Sequence, residues 1–150
     1  MKEENLAQFD FEKLKVYQKS LDLVDYVYDL SDSFPTKEQF ALTSQFKRAA
    51  YSISLNIGEG SAGSRKEFIQ FLTISIRSLR ECVVCTTIFK RRNYIDSKTE
   101  IQLRNRLTEL SKMLSGLINY LESNSAKNVL SEPEEEYLPT TNSQLQTNHG

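Results

Sequence analysis

Histidine is nearly missing from this chain: among 150 residues the one imidazole is that of His149. A nucleophile that relies on an imidazole base needs one beside it, and the chain composes neither a Ser/His/Asp nor a Cys/His set. Zinc takes about four ligands, mostly imidazole or thiolate, and one histidine with two cysteines falls short of that. No catalytic group, metal or cofactor is therefore expected. The two cysteines, with no export signal, give no reason to expect a disulfide framework. Long apolar runs are also absent. Nothing approaches the about eighteen residues of a membrane span, and the opening MKEENLAQFDFEK lacks the apolar region of a signal peptide. No membrane partner and a cytoplasmic location are expected. Absent too are the two-residue hydrophobic alternation of a half-buried strand and any βαβ spacing, which leaves an all-α chain.

What is present is ordinary in amount and uneven in placement. Hydrophobic residues at 39% and charged residues at 26% suit a globular protein of one domain. The net charge of −1 conceals an acidic stretch over 1–36, a basic one over 37–112 and a second acidic one over 113–150. A basic middle between acidic ends is consistent with an anionic partner and also with helices that merely exchange surface charge.

Helical spacing recurs four times. Leu14, Tyr17, Leu21, Val24 and Tyr28 step by three and four, with Val27 and Leu30 beside them, which predicts a helix from near Asp10 or Phe11 that ends at Ser33-Phe34-Pro35. Thr36-Lys37-Glu38-Gln39 reads as a capping box opening a second helix over about 37–58, whose apolar face is Leu42, Phe46, Ala49, Ala50, Ile53 and Ile57. Gly58 and Gly60 are expected to end it. Ser64-Arg65-Lys66-Glu67 is a second capping box, for a helix that runs to about Arg92 with Asn93 as a left-handed stop. Ser97-Lys98-Thr99-Glu100 is a third, opening a helix with the stripe Leu103, Leu107, Leu110, Leu114, Leu117 and Leu121. Short links between long helices predict an up-down-up-down antiparallel four-helix bundle over 9–124. Residues 125–150 are acidic and polar, hold two of the three prolines, and are expected to form a disordered tail.

Several features exceed what a bundle core requires. Gln45, Arg48, Ser52, Asn56 and Glu59 form one polar row beside the apolar face of the second helix, a candidate for a hydrogen-bonded network between helices or between subunits. In the third helix Phe68, Leu72, Leu79, Val83 and Phe89 make one stripe, while Phe71, Ile74, Cys85 and Ile88 make another, which is expected to pack on a second subunit. Gly58-Glu59-Gly60-Ser61-Ala62-Gly63 spells a dinucleotide fingerprint, but a helix leads into it where the fingerprint requires a strand. Cys82 and Cys85 have redox spacing but fall in mid-helix, where core cysteine is the expected role. Glu59 and Glu81 are expected to face Arg48 or another arginine as buried ion pairs. The cations Arg65 and Lys66 at one helix start, and Lys90, Arg91 and Arg92 at its end beside Tyr94, suit phosphate contact. Solvated charge accounts for each of them singly. Arg77, Arg80, Arg104, Arg106 and Lys112 add further positive charge along the third and fourth helices.

These motifs in order, Phe11-Glu12-Lys13-Leu14-Lys15-Val16-Tyr17-Gln18, Phe34-Pro35, Leu42-Thr43-Ser44-Gln45, Arg48-Ala49-Ala50, Asn56-Ile57-Gly58-Glu59-Gly60, Glu67-Phe68, Phe71-Leu72 and Ser78-Leu79 with Glu81, resemble the four-helix bundle family of the 23S rRNA intervening-sequence proteins. A more distant relative of that family is the accessory variability protein of diversity-generating retroelements, which assists a reverse transcriptase and binds nucleic acid. The resemblance spans about residues 9–121. It implies a bundle assembled as a homopentamer around a central channel, with nucleic acid as ligand. The chain departs from the family at Ser75-Ile76-Arg77, where Ala-Arg-Gly is usual, so a charge is displaced by about 100° around the helix. The resulting expectation is a non-enzymatic, homo-oligomeric protein that binds RNA or other nucleic acid through Arg48, Arg65, Lys66, Lys90, Arg91 and Arg92. The alternative is a scaffold that assembles with a protein partner and does not bind nucleic acid.

Overall fold

A computed structural model describes residues 6–123, and the expected tail over 125–150 lies outside the described residues. Four α-helices follow one another: α1, Lys15–Ser31; α2, Leu42–Ser61; α3, Arg65–Arg91; and α4, Ser97–Ser123. Short 3-10 turns, Asp10–Lys13 and Thr36–Glu38, precede α1 and α2. Each helix packs on its neighbours in the chain and α1 closes the ring against α4, while the diagonal pairs α1/α3 and α2/α4 make no close approach. Phe46 meets Phe89 and further on Gly60 meets Phe71, while Lys19 meets Glu109 and further on Tyr26 meets Gln102, so α2 and α3, and likewise α1 and α4, run antiparallel. This is the expected up-down-up-down bundle.

The core is built from one stripe per helix. On α4 the expected Leu103, Leu107, Leu110, Leu114, Leu117 and Leu121 are all buried. Phe46, Ala49, Ala50, Ile53 and Ile57 of α2 meet Phe68, Leu72, Leu79, Cys82 and Phe89 of α3. Phe34, from the α1–α2 link, closes one end, its ring tilted against that of Phe89 with centres 4.4 Å apart.

On α1 the buried stripe is only partly the expected one, Leu14 and Val27 being in the core. Val16, Ser20, Leu23, Val27 and Ser31 face the core, whereas Leu21 and Tyr28 are exposed. Leu21 and Tyr28 therefore point away from the centre, while Tyr17, Val24 and Leu30 pack at its edge. The two buried serines lose nothing by burial, because Ser31 donates to the Val27 carbonyl at 2.6 Å and Ser20 donates to that of Tyr17. Each then packs as a small residue and lets α2 come close; the Ser54 hydroxyl lies 2.8 Å from that of Ser20.

The helix ends differ in instructive ways. The Ser64 box forms: its hydroxyl accepts from the Glu67 N–H and Glu67 Oε1 accepts from the Ser64 N–H, each at 3.2 Å. Asn93 stops α3 at φ 61°, the left-handed geometry asparagine tolerates, and the Tyr94 N–H reaches back to the Phe89 carbonyl at 2.9 Å. The Thr36 box does not form. Gln39 points instead toward the Ser31 carbonyl, and residues 36–41 leave a 3-10 turn before α2 begins at Leu42. The cap of α4 is Asp96 rather than Ser97, since its Oδ1 accepts from the Thr99 N–H at 2.8 Å. That hydrogen bond holds the Asp96 carboxyl below its usual pKa. Nor does the first helix run unbroken from Asp10, because Leu14 is extended between the 3-10 turn and α1.

Gly58 and Gly60 do not end α2, which continues to Ser61, and no glycine among the described residues has positive φ. Close approach explains them. A Cβ on Gly60 would lie 2.4 Å from Cβ of Phe71 on α3, and one on Gly58 would lie 3.1 Å from the Phe11 ring.

Candidate functional site

The polar row of α2 splits when placed in three dimensions. Its middle forms the expected network: Asn56 Nδ2 donates to the Ser52 carbonyl at 2.8 Å and to Ser52 Oγ at 3.1 Å, and Ser52 Oγ lies 2.9 Å from Ser78 Oγ on α3. One turn away Ser75 donates to the Ile53 carbonyl at 2.9 Å. These bonds stitch α2 to α3 inside one chain. The ends of the row, Gln45, Arg48 and Glu59, are exposed. The expected buried ion pairs are therefore absent: Glu59 and Glu81 both face solvent, and neither pairs with Arg48.

The stripe of α1 that missed the core lines a groove instead. Phe11, Tyr17, Leu21, Val24 and Tyr28 meet Tyr51, Ser54, Leu55, Gly58 and Glu59 of α2 around an open volume of about 720 Å³. Phe11 and Tyr17 pack edge to face with ring centres 5.0 Å apart. Lys47 sits over the Tyr28 ring at 4.9 Å from its centre. The groove lining itself contains no cation and a single carboxylate, Glu59.

On α3 the expected second apolar face is mostly closed within the chain. Cys85 is buried in the core and Phe71 lies over Gly60 of α2. Ile74, 41% exposed, is the open remainder of that stripe. The reason is the small-residue surface of α2, which draws α3 in until Phe71 is covered.

The expected phosphate-contacting cations do not converge within one chain. Arg65 and Lys66 open α3 and Lys90, Arg91 and Arg92 close it, so the two groups stand about 39 Å apart along the axis. At the α3 start the Glu67 carboxylate already occupies the anion position of the first turn. Lys66, Arg91 and Arg92 are exposed, Arg65 and Lys90 half-buried, and Arg48 is exposed on α2. Tyr94 is half-buried and packs on Phe34 and Phe89, so one of its faces is taken by the core. The fully open ring is that of Phe40, 95% exposed, in the link before α2.

A grouping of cations that helical spacing alone did not single out lies between α3 and α4. Arg80 of α3 and Arg104 and Lys112 of α4 line a groove of about 410 Å³, together with Thr108, Ser111, Leu79, Val83 and Leu107. The signal was available: 104, 108, 111 and 112 share one face of α4. What was missing was the register that brings Arg80 opposite them.

The remaining chemistry is structural. Cys82 and Cys85 are free thiols in the core. Burial, with the neighbouring Glu81 carboxylate adding to it, pushes the Cys85 thiol up to about 11, and burial raises Cys82 further still. Neither is a nucleophile at neutral pH. Both are expected to resist Ellman's reagent at pH 8 in the folded protein and to react fully in guanidinium; rapid reaction of either in buffer would place it outside the core. Among the described residues no group of three or more His, Cys, Asp and Glu side chains gathers as metal ligands do, and no helix is long and apolar enough to cross a membrane.

Residues 12–116 match the family model of the 23S rRNA-intervening sequence protein. Among solved structures, the chain is similar to a protein of unknown function from the S23 ribosomal protein family of Bacteroides thetaiotaomicron VPI-5482. The two share 28% identity, with a TM-score of 0.64 over 69% of this chain and 97% of that one. No curated protein matches.

Proposed function

Because the chain belongs to the 23S rRNA-intervening sequence protein family, we propose that it is a non-enzymatic homo-oligomer, a pentamer on the family resemblance, that binds RNA. The observation that carries the assembly is the α1–α2 groove. Six large apolar or aromatic side chains from two helices surround it, and Leu21, Tyr28, Tyr51 and Leu55 among them are exposed. Monomers rarely leave contiguous apolar surface of that kind open. A second copy is the occupant that this chain itself supplies.

Assembly also answers the dispersal of the cations. Clusters 39 Å apart on one chain, as estimated from the about 1.5 Å rise per residue, are repeated by symmetry around a ring, so one RNA meets the same cluster several times. Arg91 and Arg92, exposed at the end of α3, are the members with the least intramolecular role. Titration with a structured RNA over a range of salt tests this. Wild-type binding is expected to fall steeply as salt rises, and R91E/R92E is expected to lose most of it while keeping the wild-type mass by light scattering. RNA binding absent at low salt would instead leave a protein-interaction scaffold.

A further inference from the structure

We propose that the α3–α4 groove is a second RNA contact, a channel that takes the phosphodiester backbone of an unpaired strand. This rests on the RNA reading above and goes beyond it, because Arg80, Arg104 and Lys112 are not at the helix ends.

The groove has the composition such a ligand requires. Its floor is Leu79 and Leu107, both buried, with Val83 half-buried beside them. Its rim carries three cations and the hydroxyls of Thr108 and Ser111, and no carboxylate lines it. Of the acids closest in sequence, two are turned elsewhere and the third is bound to a rim arginine. Glu109 pairs with Lys19 on the α1 side at 3.2 Å, Glu81 is exposed outside the lining, and Glu100 is held at 3.2 Å by Arg104. An apolar floor under a cationic, hydroxyl-bearing rim suits ribose and base edges below and phosphates above.

Arg104 is placed by its own chain. Its Nε pairs with Glu100 on α4 while Nη2 donates to Thr87 Oγ1 on α3 at 2.8 Å. The guanidinium therefore spans the seam in one orientation, a preorganised cation at the groove rim. Arg80 has no ion-pair partner among the described residues. From Arg104 to Lys112 the rim runs about 12 Å along α4, the rise of roughly three to four stacked nucleotides of one strand. A duplex is too wide for a cleft between two adjacent helices, so the unpaired strand is the favoured form.

The test compares charge reversals in the full chain. R80E/K112E, R91E/R92E and K13E/K98E, the last an equal change in net charge away from the groove, are titrated with a fluorescein-labelled uridine 12-mer by anisotropy. R80E/K112E is expected to bind about tenfold or more weakly, with a log–log salt slope shallower by about 1.4 for two lost single-strand contacts. K13E/K98E is expected to change affinity much less. Wild-type helix content in R80E/K112E, read by circular dichroism, confirms that the loss is not unfolding. If that variant unfolds, R80Q/K112Q, which keeps polarity and removes only the charge, must show the same weakening. Unchanged binding by R80E/K112E while R91E/R92E loses it would overturn the groove and leave the RNA reading standing. Equal loss in K13E/K98E would overturn it as a net-charge effect. Displacement of the 12-mer by polyglutamate at equal charge would reassign the groove to acidic peptides, and absence of wild-type binding would overturn both readings.

Discussion

Gly60→Ala is expected to destabilise the folded chain by about 2 kcal/mol, although alanine is the better helix former by about 1 kcal/mol. The added Cβ would lie 2.4 Å from Cβ of Phe71 and 2.9 Å from its Cγ. A Cβ is fixed to the backbone, so no rotamer change in Phe71 relieves the contact and α3 must move away from α2. That movement would loosen Ser52–Ser78 and Ser75–Ile53, the bonds that stitch the same two helices. Overpacking of a well-filled core costs about 1–3 kcal/mol, and the upper end applies where the obstacle is another helix. Gly58→Ala sets the comparison. There the nearest atom is Cε2 of Phe11 at 3.1 Å, on a half-buried ring in the 3-10 turn before α1. That ring can give way, so the propensity gain survives and the variant is expected to be neutral or slightly stabilised. Chemical denaturation of the pair checks the result. A Gly60→Ala protein as stable as wild type would mean that α2 and α3 are not this close.

The same two glycines show where the sequence was legible and where it was not. Glycine after an apolar stripe reads as a helix stop, since positive φ is its commonest use at that place. Its other use, as a hole for a neighbouring helix, leaves no local mark; it depends on Phe71, eleven positions further on. The α4 stripe was legible because six of its buried positions are leucines at helical spacing. The Asn93 stop was legible because the α-helical pattern ceases beside the residue that best tolerates left-handed backbone. On α1 the largest apolar residues were taken as the core stripe, and two serines stood in the true one. A serine that bonds to the preceding turn of its own helix is a small core residue, and composition cannot distinguish it from a solvated one.

The candidate sites follow from the same register. Helical spacing puts Gln45, Arg48, Ser52, Asn56 and Glu59 in one row, but whether a row lies under another helix is a tertiary fact. Ser52 and Asn56 lie under α3, and the other three do not. Because the diagonal helices do not meet, the α1–α2 and α3–α4 seams lie on opposite sides of the bundle. One is aromatic and lacks cations in its lining; the other is cationic and lacks carboxylates. A subunit built this way can join its neighbour on one side and hold an anion on the other without the two activities competing for surface.

If the α1–α2 groove is the self-interface proposed above, Leu55→Glu is expected to give a monomer with helix content unchanged. Leu55 is 59% exposed in the single chain, so a carboxylate there keeps its water and costs the fold little. In the assembly it would be pressed among Tyr17, Leu21, Tyr28 and Tyr51, with no cation in the lining to receive it. Burying an unpaired charge costs several kcal/mol, which is more than two orders of magnitude in each subunit contact, and a closed ring suffers that loss at every interface. Val84→Glu is the matched control: it lies on α3, is also 59% exposed, and is absent from the groove. Light scattering on the two variants separates the faces. Monomeric L55E beside an intact V84E places assembly on α1–α2, whereas the reverse would return it to the outer face of α3, where helical periodicity alone had put it. If both variants keep the wild-type mass and that mass is one chain, the aromatic groove is not a self-interface, and its occupant is a different molecule.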